Sequence, residues 1–196
     1  MGTPRLPAAR RRRQLLDTAL AVFAERGFHN TAMNDIADAA GVTKPVLYQH
    51  FRSKRELYRE VLEDVGGRLE ETIAKAAAGA PGPREQVEAG FGAYFRFVAG
   101  EQDAFQVLFG GDTRRDPDFI RQAAETEASI AKAIAALIDI EGIDPDHRAL
   151  LAHGLVGLAE GTSRRWLADG LREDPGTLAA QVAELAWAGL RGIRRA

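Results

Sequence analysis

The stretch from Gly27 to Lys54, GFHNTAMNDIADAAGVTKPVLYQHFRSK, constrains the fold of this chain more than any other. Ile36, Ala37 and Ala40 share one helical face. Gly41 follows where a helix closes on a left-handed residue, and Val42 is an apolar plug after that turn. Thr43 has a hydroxyl suited to capping the next helix, and Pro45 lies in that helix's first turn, where a missing N–H costs nothing. Leu47 and Phe51, four apart, form its inward face. Two short helices around a tight turn make a helix-turn-helix, with residues 43–51 as the second helix.

A wheel at about 100° per residue then assigns directions on that helix. With Leu47 and Phe51 inward, Pro45, Val46 and Gln49 point out, and Tyr48 and His50 flank them. Outward groups on such a helix meet base edges and flanking groups meet phosphates. The Gln49 amide matches the two-bond edge of adenine, and the Val46 methyls suit a thymine methyl. Lys44 and Lys54 bracket the helix with positive charge. An ordinary αα-hairpin with an exposed Tyr and Gln explains less, because turn chemistry, cap and basic brackets all agree on DNA.

Thr31 with Asp35-Ile36-Ala37, the run Gly41 to Phe51, and Ser53-Lys54-Arg55-Glu56-Leu57 resemble the DNA-binding domain of the tetracycline-repressor (TetR) family over about residues 10–62. The resemblance implies a homodimeric transcriptional repressor, usually released by a ligand bound in a helical body. The chain departs from the family at Ala32, where Thr or Ser often caps the first helix of the motif and touches phosphate. Thr31 is expected to take over that cap.

Net charge is −2 over 196 residues, which alone speaks against a polyanion partner. Its distribution speaks the other way. Residues 1–60 hold eleven Lys/Arg against six Asp/Glu, a net of +5, leaving −7 for the remainder. A basic head on an acidic body fits a protein that sets one end on phosphates. Arg10-Arg11-Arg12-Arg13 opens the first helix. Cations at a helix N-terminus oppose its macrodipole, so Arg11, Arg12 and Arg13 are expected to face phosphate rather than only solvent. Absence of cysteine excludes disulfides and thiolate metal sites and fits a cytoplasmic location. No run of 18 apolar residues and no apolar leader core predict neither a membrane span nor secretion.

The predicted organisation is all-α: a disordered lead at 1–9, a helix-turn-helix DNA-binding domain at 10–54, and a helical ligand-binding and dimerisation domain at 55–196. Leu15, Leu16, Ala19, Leu20 and Phe23 make the first helix amphipathic, and Gly27 ends it. A Ser53/Glu56 capping box opens a long fourth helix that ties head to body, in which Gly66-Gly67 either bends the chain or admits a neighbour. Ala-Ala-Ala-Gly-Ala-Pro-Gly-Pro at 76–83 breaks it. Further helices are expected at about 83–99, 101–110, 117–140, 145–169 and 175–193, with loops at 110–117 and around Gly142. No strand pattern or internal repeat appears.

No phosphate loop, nucleophile elbow or His-Glu-x-x-His occurs, and the four His are not at metal-ligand spacing, so no enzyme, cofactor or metal is expected. The rings Phe91, Tyr94, Phe95, Phe105, Phe109, Phe119 and Trp166 are either core or the walls of an effector cavity, with Glu127 and Glu160 placed to orient a polar group. Leu150, Gly154, Gly157 and Gly161, with Leu178, Val182, Leu185 and Gly189, are expected to form a two-fold dimer face. The expected partners are a palindromic operator, a second copy of the chain and a small apolar or aromatic effector. The alternative is a protein of the same type that binds many dispersed sites and acts through a protein partner.

Overall fold

A computed structural model describes residues 7–111, 115–138 and 143–193. Among the described residues there are nine α-helices and no strand: α1 Ala8–Asn30, α2 Met33–Ala39, α3 Lys44–His50, α4 Lys54–Ala78, α5 Pro83–Gly100, α6 Gln102–Phe109, α7 Pro117–Leu137, α8 Pro145–Ala168 and α9 Pro175–Arg191. The expected lead at 1–9 and the loops at 110–117 and around Gly142 lie partly outside the described residues. Ala8 and Ala9 already belong to α1.

Contacts divide the chain into two compact units, Met1–Val65 with Asp103–Ala123, and Gly66–Gln102 with Ala124–Ala196. The division differs from the expected boundary at 54/55. The first unit holds α1–α3, the first part of α4, α6 and the start of α7. Its core is Leu15, Ala19, Phe23, Ile36, Leu47, Phe51, Leu57 and Leu62, joined by Leu108 and Phe119. Gly27 explains how α1 reaches that core. Its φ of 77° breaks the helix for one residue, a conformation a Cβ disfavours. Phe28 thereby turns inward against Phe23, Tyr58 and Phe119, with ring centroids 6.2, 5.0 and 4.8 Å away. Phe119, expected in the ligand-binding body, is thus a wall of the head's core. Phe105 and Phe109, 4.9 Å apart, fall in the same unit.

The second unit contains the rest of α4 and of α7, with α5, α8 and α9. Phe95, Val98 and Leu69 are buried there, and α5 packs along the Ala179, Val182, Ala183 and Ala186 face of α9. Ala131, Ile138 and Ala152 form an apolar cluster with Ile134, Leu151, Leu155 and Leu190. The choice left open at Gly66-Gly67 is settled by packing. The helix runs on unbroken, a Cβ at Gly66 would lie 2.6 Å from Thr126 Cγ2, and one at Gly67 would meet nothing. The Asp-Pro pairs at 144 and 174 are helix starts: Asp144 accepts from the N–H groups of Asp146 and His147, and Asp174 from that of Thr177.

Candidate functional site

The turn of the helix-turn-helix is a complete Schellman closure. Val42 N–H donates to Ala37 O at 2.9 Å and Gly41 N–H to Asp38 O at 3.1 Å, while Gly41 takes φ 64°. This closure fixes the angle at which α3 leaves α2. Leu47 and Phe51 are fully buried beneath it. The opposite side presents Thr43, Lys44, Pro45, Tyr48 and Gln49 to solvent, with Val46 and His50 half-buried. Lys44 Nζ lies 5.9 Å from the Tyr48 ring centroid. The exposed edge therefore carries one amide able to read a base edge, one phenol, one hydroxyl and one ammonium.

Several expected contacts are redirected by intramolecular bonds. Thr31 is 2% exposed and its hydroxyl donates to Gly27 O at 2.7 Å, so it neither caps α2 nor faces DNA. The cap falls to Asp35, whose Oδ2 accepts the Ala32 N–H at 2.7 Å. Thr43 stands at the start of α3, but its hydroxyl makes no capping bond; its carbonyl accepts from Val46 and Leu47. Lys54 donates to Phe28 O at 2.6 Å and Thr31 O at 2.7 Å and lies 4.4 Å from the Phe28 ring centroid. Its ammonium neutralises carbonyls at the end of α1 instead of standing open to a phosphate. On α4, Ser53 Oγ accepts the Glu56 N–H at 3.1 Å as expected, whereas the Glu56 carboxylate turns to the Arg52 N–H.

The arginine run divides in the same way. Arg12 pairs with Glu60 and lies 5.0 Å from the Phe51 ring centroid. Arg13 pairs with Asp64 and with Asp17, with bonds of 2.9 Å to each. The hydrogen bonds it donates to Asp64 and then Asp17 hold the Arg13 guanidinium above its ordinary pKa, against a smaller desolvation. Arg12 and Arg13 thus latch α1 onto α4. The Arg11 guanidinium donates to the neutral Gln14 at 2.8 Å, and Arg10 is exposed. The carboxylates Glu60 and Asp64, one turn apart and facing the arginines, were missed by sequence reasoning, although their spacing was a signal.

In the second unit, Phe91, Tyr94, Phe95 and Trp166 form one ring cluster. Tyr94 and Trp166 meet Phe95 edge-on at 5.2 and 5.9 Å, and Phe91 stacks on it at 6.4 Å. All four are at least nine-tenths buried, and Trp166 Nε1 donates to Glu173 O at 3.0 Å. Glu160 pairs with Arg164. The cluster is packed. A cavity of about 320 Å³ lies beside it, lined by Thr162, Trp166, Leu178 and Gln181 with Arg165 of α8 and charged residues of the α8–α9 turn. A smaller apolar one of about 90 Å³ lies between α4 and α7. Phe105, Phe109 and Phe119 do not join this cluster, being core of the other unit.

The expected dimer face is partly open and partly spent. Leu150 and Leu185 are 69% and 62% exposed, and Gly154, Gly157, Gly161 and Gly189 have room for a Cβ with nothing within 4 Å. Val182 is buried against its own chain, and Leu178 is half-buried, so the α9 stripe divides between core and surface.

Comparison with known proteins agrees with this architecture. Residues 15–61 match the model of bacterial regulatory proteins of the tetR family, and residues 83–189 match the tetracyclin repressor-like C-terminal domain. The HTH-type transcriptional activator FasR of Mycolicibacterium smegmatis is 35% identical over 190 residues, covering 96% of this chain and 87% of that protein. A TetR-like transcriptional regulator from Rhodococcus sp. RHA1 superposes with a TM-score of 0.78 at 31% identity, covering 96% of this chain and all of that one. The FadR regulator of Bacillus subtilis, solved with stearoyl-CoA, shares the fold with a TM-score of 0.79 at 20% identity over 93% of this chain and 99% of its own. The chain belongs to the tetR family of bacterial regulatory proteins and is a transcriptional regulator, not an enzyme.

Proposed function

We propose that the protein is a homodimeric repressor that occupies a palindromic operator and is released by a small apolar or aromatic effector. The observation that carries this reading is the exposed edge of α3, where Lys44, Pro45, Tyr48 and Gln49 stand opposite the buried Leu47 and Phe51. An amide on a helix so anchored reads sequence, and two copies related by a two-fold axis read a palindrome. The exposed leucines and glycines of α8 and α9 supply a surface for the second copy. Repression needs only that a bound dimer exclude polymerase. The opening of about 320 Å³ beside the ring cluster, walled in part by Trp166 and Leu178, supports an effector site in the helical body, and the effector acts by favouring a dimer whose recognition helices are wrongly spaced.

Selecting bound fragments from random DNA tests the reading. It should recover a small set of sites with two-fold symmetry, and a panel of apolar metabolites, extended by long-chain acyl-CoA thioesters with their apolar chains and charged heads, should contain compounds that release the protein. Many dispersed, asymmetric sites with no releasing compound would favour action through a protein partner. A second reading, activation, is favoured by the full-length relative that activates. A reporter fused to the recovered promoter decides between the two, since deletion of the protein raises expression under repression and lowers it under activation.

A further inference from the structure

The arginines that open α1 are held by partners of different charge. Arg12 is paired with Glu60, and Arg13 with Asp17 and Asp64, so each carries its own neutralising carboxylate. Arg11 is held by an amide instead. Its Nη1 donates to Gln14 Oε1 at 2.8 Å, and no ion pair joins its guanidinium to a carboxylate among the described residues. The other end of the same amide donates from Nε2 to Ala40 O at 3.3 Å. A guanidinium only donates and a carbonyl only accepts, so one orientation of the Gln14 amide serves both.

The bridge ends beside the turn of the motif. Ala40 closes α2, and Gly41 and Val42 then lead into α3, whose start carries the exposed Thr43 and Lys44. Gln14 thus fixes the Arg11 guanidinium against the segment that sets the angle of α3, and it adds no charge. An arginine held by a neutral group keeps its full positive charge and gives up rotamer freedom before any ligand arrives. Its neighbours lack that combination. Arg12 and Arg13 are ordered but neutralised, and Arg10 is exposed without a side-chain partner among the described residues.

We propose that Gln14 is a positioning residue for DNA binding, which presents Arg11, fixed and unneutralised, to a backbone phosphate alongside the turn of the motif. The inference rests on the DNA-binding part of the reading above and requires no operator, dimer or effector. A fixed guanidinium meets phosphate oxygens in a two-pronged pair, and it has already lost the freedom that a loose side chain surrenders on binding. The competing role is structural: Gln14 caps the Ala40 carbonyl, and Arg11 rests on it without meeting DNA.

Isotherms on a duplex of random sequence, at several salt concentrations, separate the two roles. Arg11→Ala should flatten the log–log salt slope by about 1, the mark of one lost phosphate contact. Gln14→Met, similar in length but without the amide, should keep the wild-type slope and bind about two- to tenfold more weakly, the worth of holding one side chain. The same change in the Arg11→Ala background should cost nothing further, because Gln14 acts through Arg11. Gln14→Glu keeps an acceptor for Arg11 but neutralises it, so its slope should flatten as in Arg11→Ala. Equal weakening by Gln14→Met in both backgrounds would assign Gln14 to the fold and overturn the proposal. An unchanged slope in Arg11→Ala or in Gln14→Glu would also overturn it, while wild-type binding to the same duplex keeps the DNA-binding reading. Wild-type protein that binds no duplex even at low salt removes both.

Discussion

The guanidinium of Arg55 forks the carboxylate of Asp116, Nη1 to Oδ1 at 3.0 Å and Nη2 to Oδ2 at 2.8 Å, and lies 5.1 Å from the Phe119 ring centroid. A third bond of 3.0 Å reaches Asp118. Planar, two-pronged pairing joins the first turn of α4 to the start of α7 inside the head unit with a fixed orientation that a lysine would not give. The fork holds the Asp116 carboxyl below its ordinary value. A depressed carboxyl contributes stability above its unfolded pKa, about 4, and loses it as pH falls through the lower folded value. The joint should therefore be indifferent to pH from 5 to 8 (roughly the physiological span) and open only in acid. Following the Asp116 carboxyl by NMR should show a midpoint below the ordinary one, returning toward it in Arg55→Ala. An unchanged midpoint in that variant would mean that Arg55 is not its cause.

Gln49 and Lys54 flank one helix and should fail differently. Gln49→Ala should cost about 1–3 kcal/mol on the operator and relax preference at one base pair, with the salt slope kept. Lys54→Ala removes two charge-assisted bonds to Phe28 O and Thr31 O. It should lower the stability of the head by about 2 kcal/mol and weaken all DNA alike, without the unit loss of slope that marks a phosphate contact. Denaturation curves with isotherms at several salt concentrations distinguish the two. A slope flattened by about 1 at unchanged stability would return Lys54 to the phosphate backbone.

What was legible in the sequence was what local chemistry decides. Gly41 with Val42 closes a helix whatever surrounds it, and Leu47 with Phe51 faces inward by periodicity alone. What was illegible depends on distant partners. Nothing within reach of Lys54 in the chain says that its ammonium turns to carbonyls more than twenty positions away. Phe119 could not be assigned to the head core from a position beyond α6, because Gly27 had first to turn Phe28 toward it. Thr31 carried the residue type of a cap, but an inward α1 tail buried it.

Glu60 restrains an arginine that would otherwise be available to DNA. It pairs with Arg12, whose side chain remains 43% exposed. Glu60→Gln removes the competing charge while keeping the shape. Affinity for any duplex should rise at low salt, and the log–log salt slope should steepen by up to about 1, because one more cation neutralises a phosphate. Isotherms on scrambled DNA read this without an operator. An unchanged slope would confine Arg12 to holding α1 on α4.

Gly66 is needed for closeness and not for bending. A Cβ there would meet Thr126 Cγ2 at 2.6 Å and Oγ1 at 2.8 Å, whereas Gly67 has open space. Gly66→Ala should lower stability by about 1–3 kcal/mol through overpacking, while Gly67→Ala should raise it by up to about 1 kcal/mol through helix propensity. Thr126→Ala removes both crowding atoms, so the double variant should be more stable than the sum of the single changes. Additive losses would show that the strain comes from the α4 backbone itself.

Gly157 tests the dimer. It sits mid-stripe between Gly154 and Gly161 on α8, where a Cβ meets nothing within 4 Å in the single chain. Within one chain a leucine at this site should therefore be tolerated and should improve helix propensity by up to about 1 kcal/mol. Across a two-fold interface it meets its own copy, and overpacking of about 1–3 kcal/mol counts twice, once in each protomer. Gly157→Leu should thus weaken the dimer in sedimentation while leaving the melting of the separated chain unharmed. Operator affinity should fall with dimerisation, because half-sites bound by separate monomers lose the effective concentration that a linked pair provides. Gly67→Ala, on α4, is the control and should leave the dimer intact. An undisturbed dimer for Gly157→Leu would move the interface off this face, and a melting loss without dissociation would mean that the stripe packs within one chain.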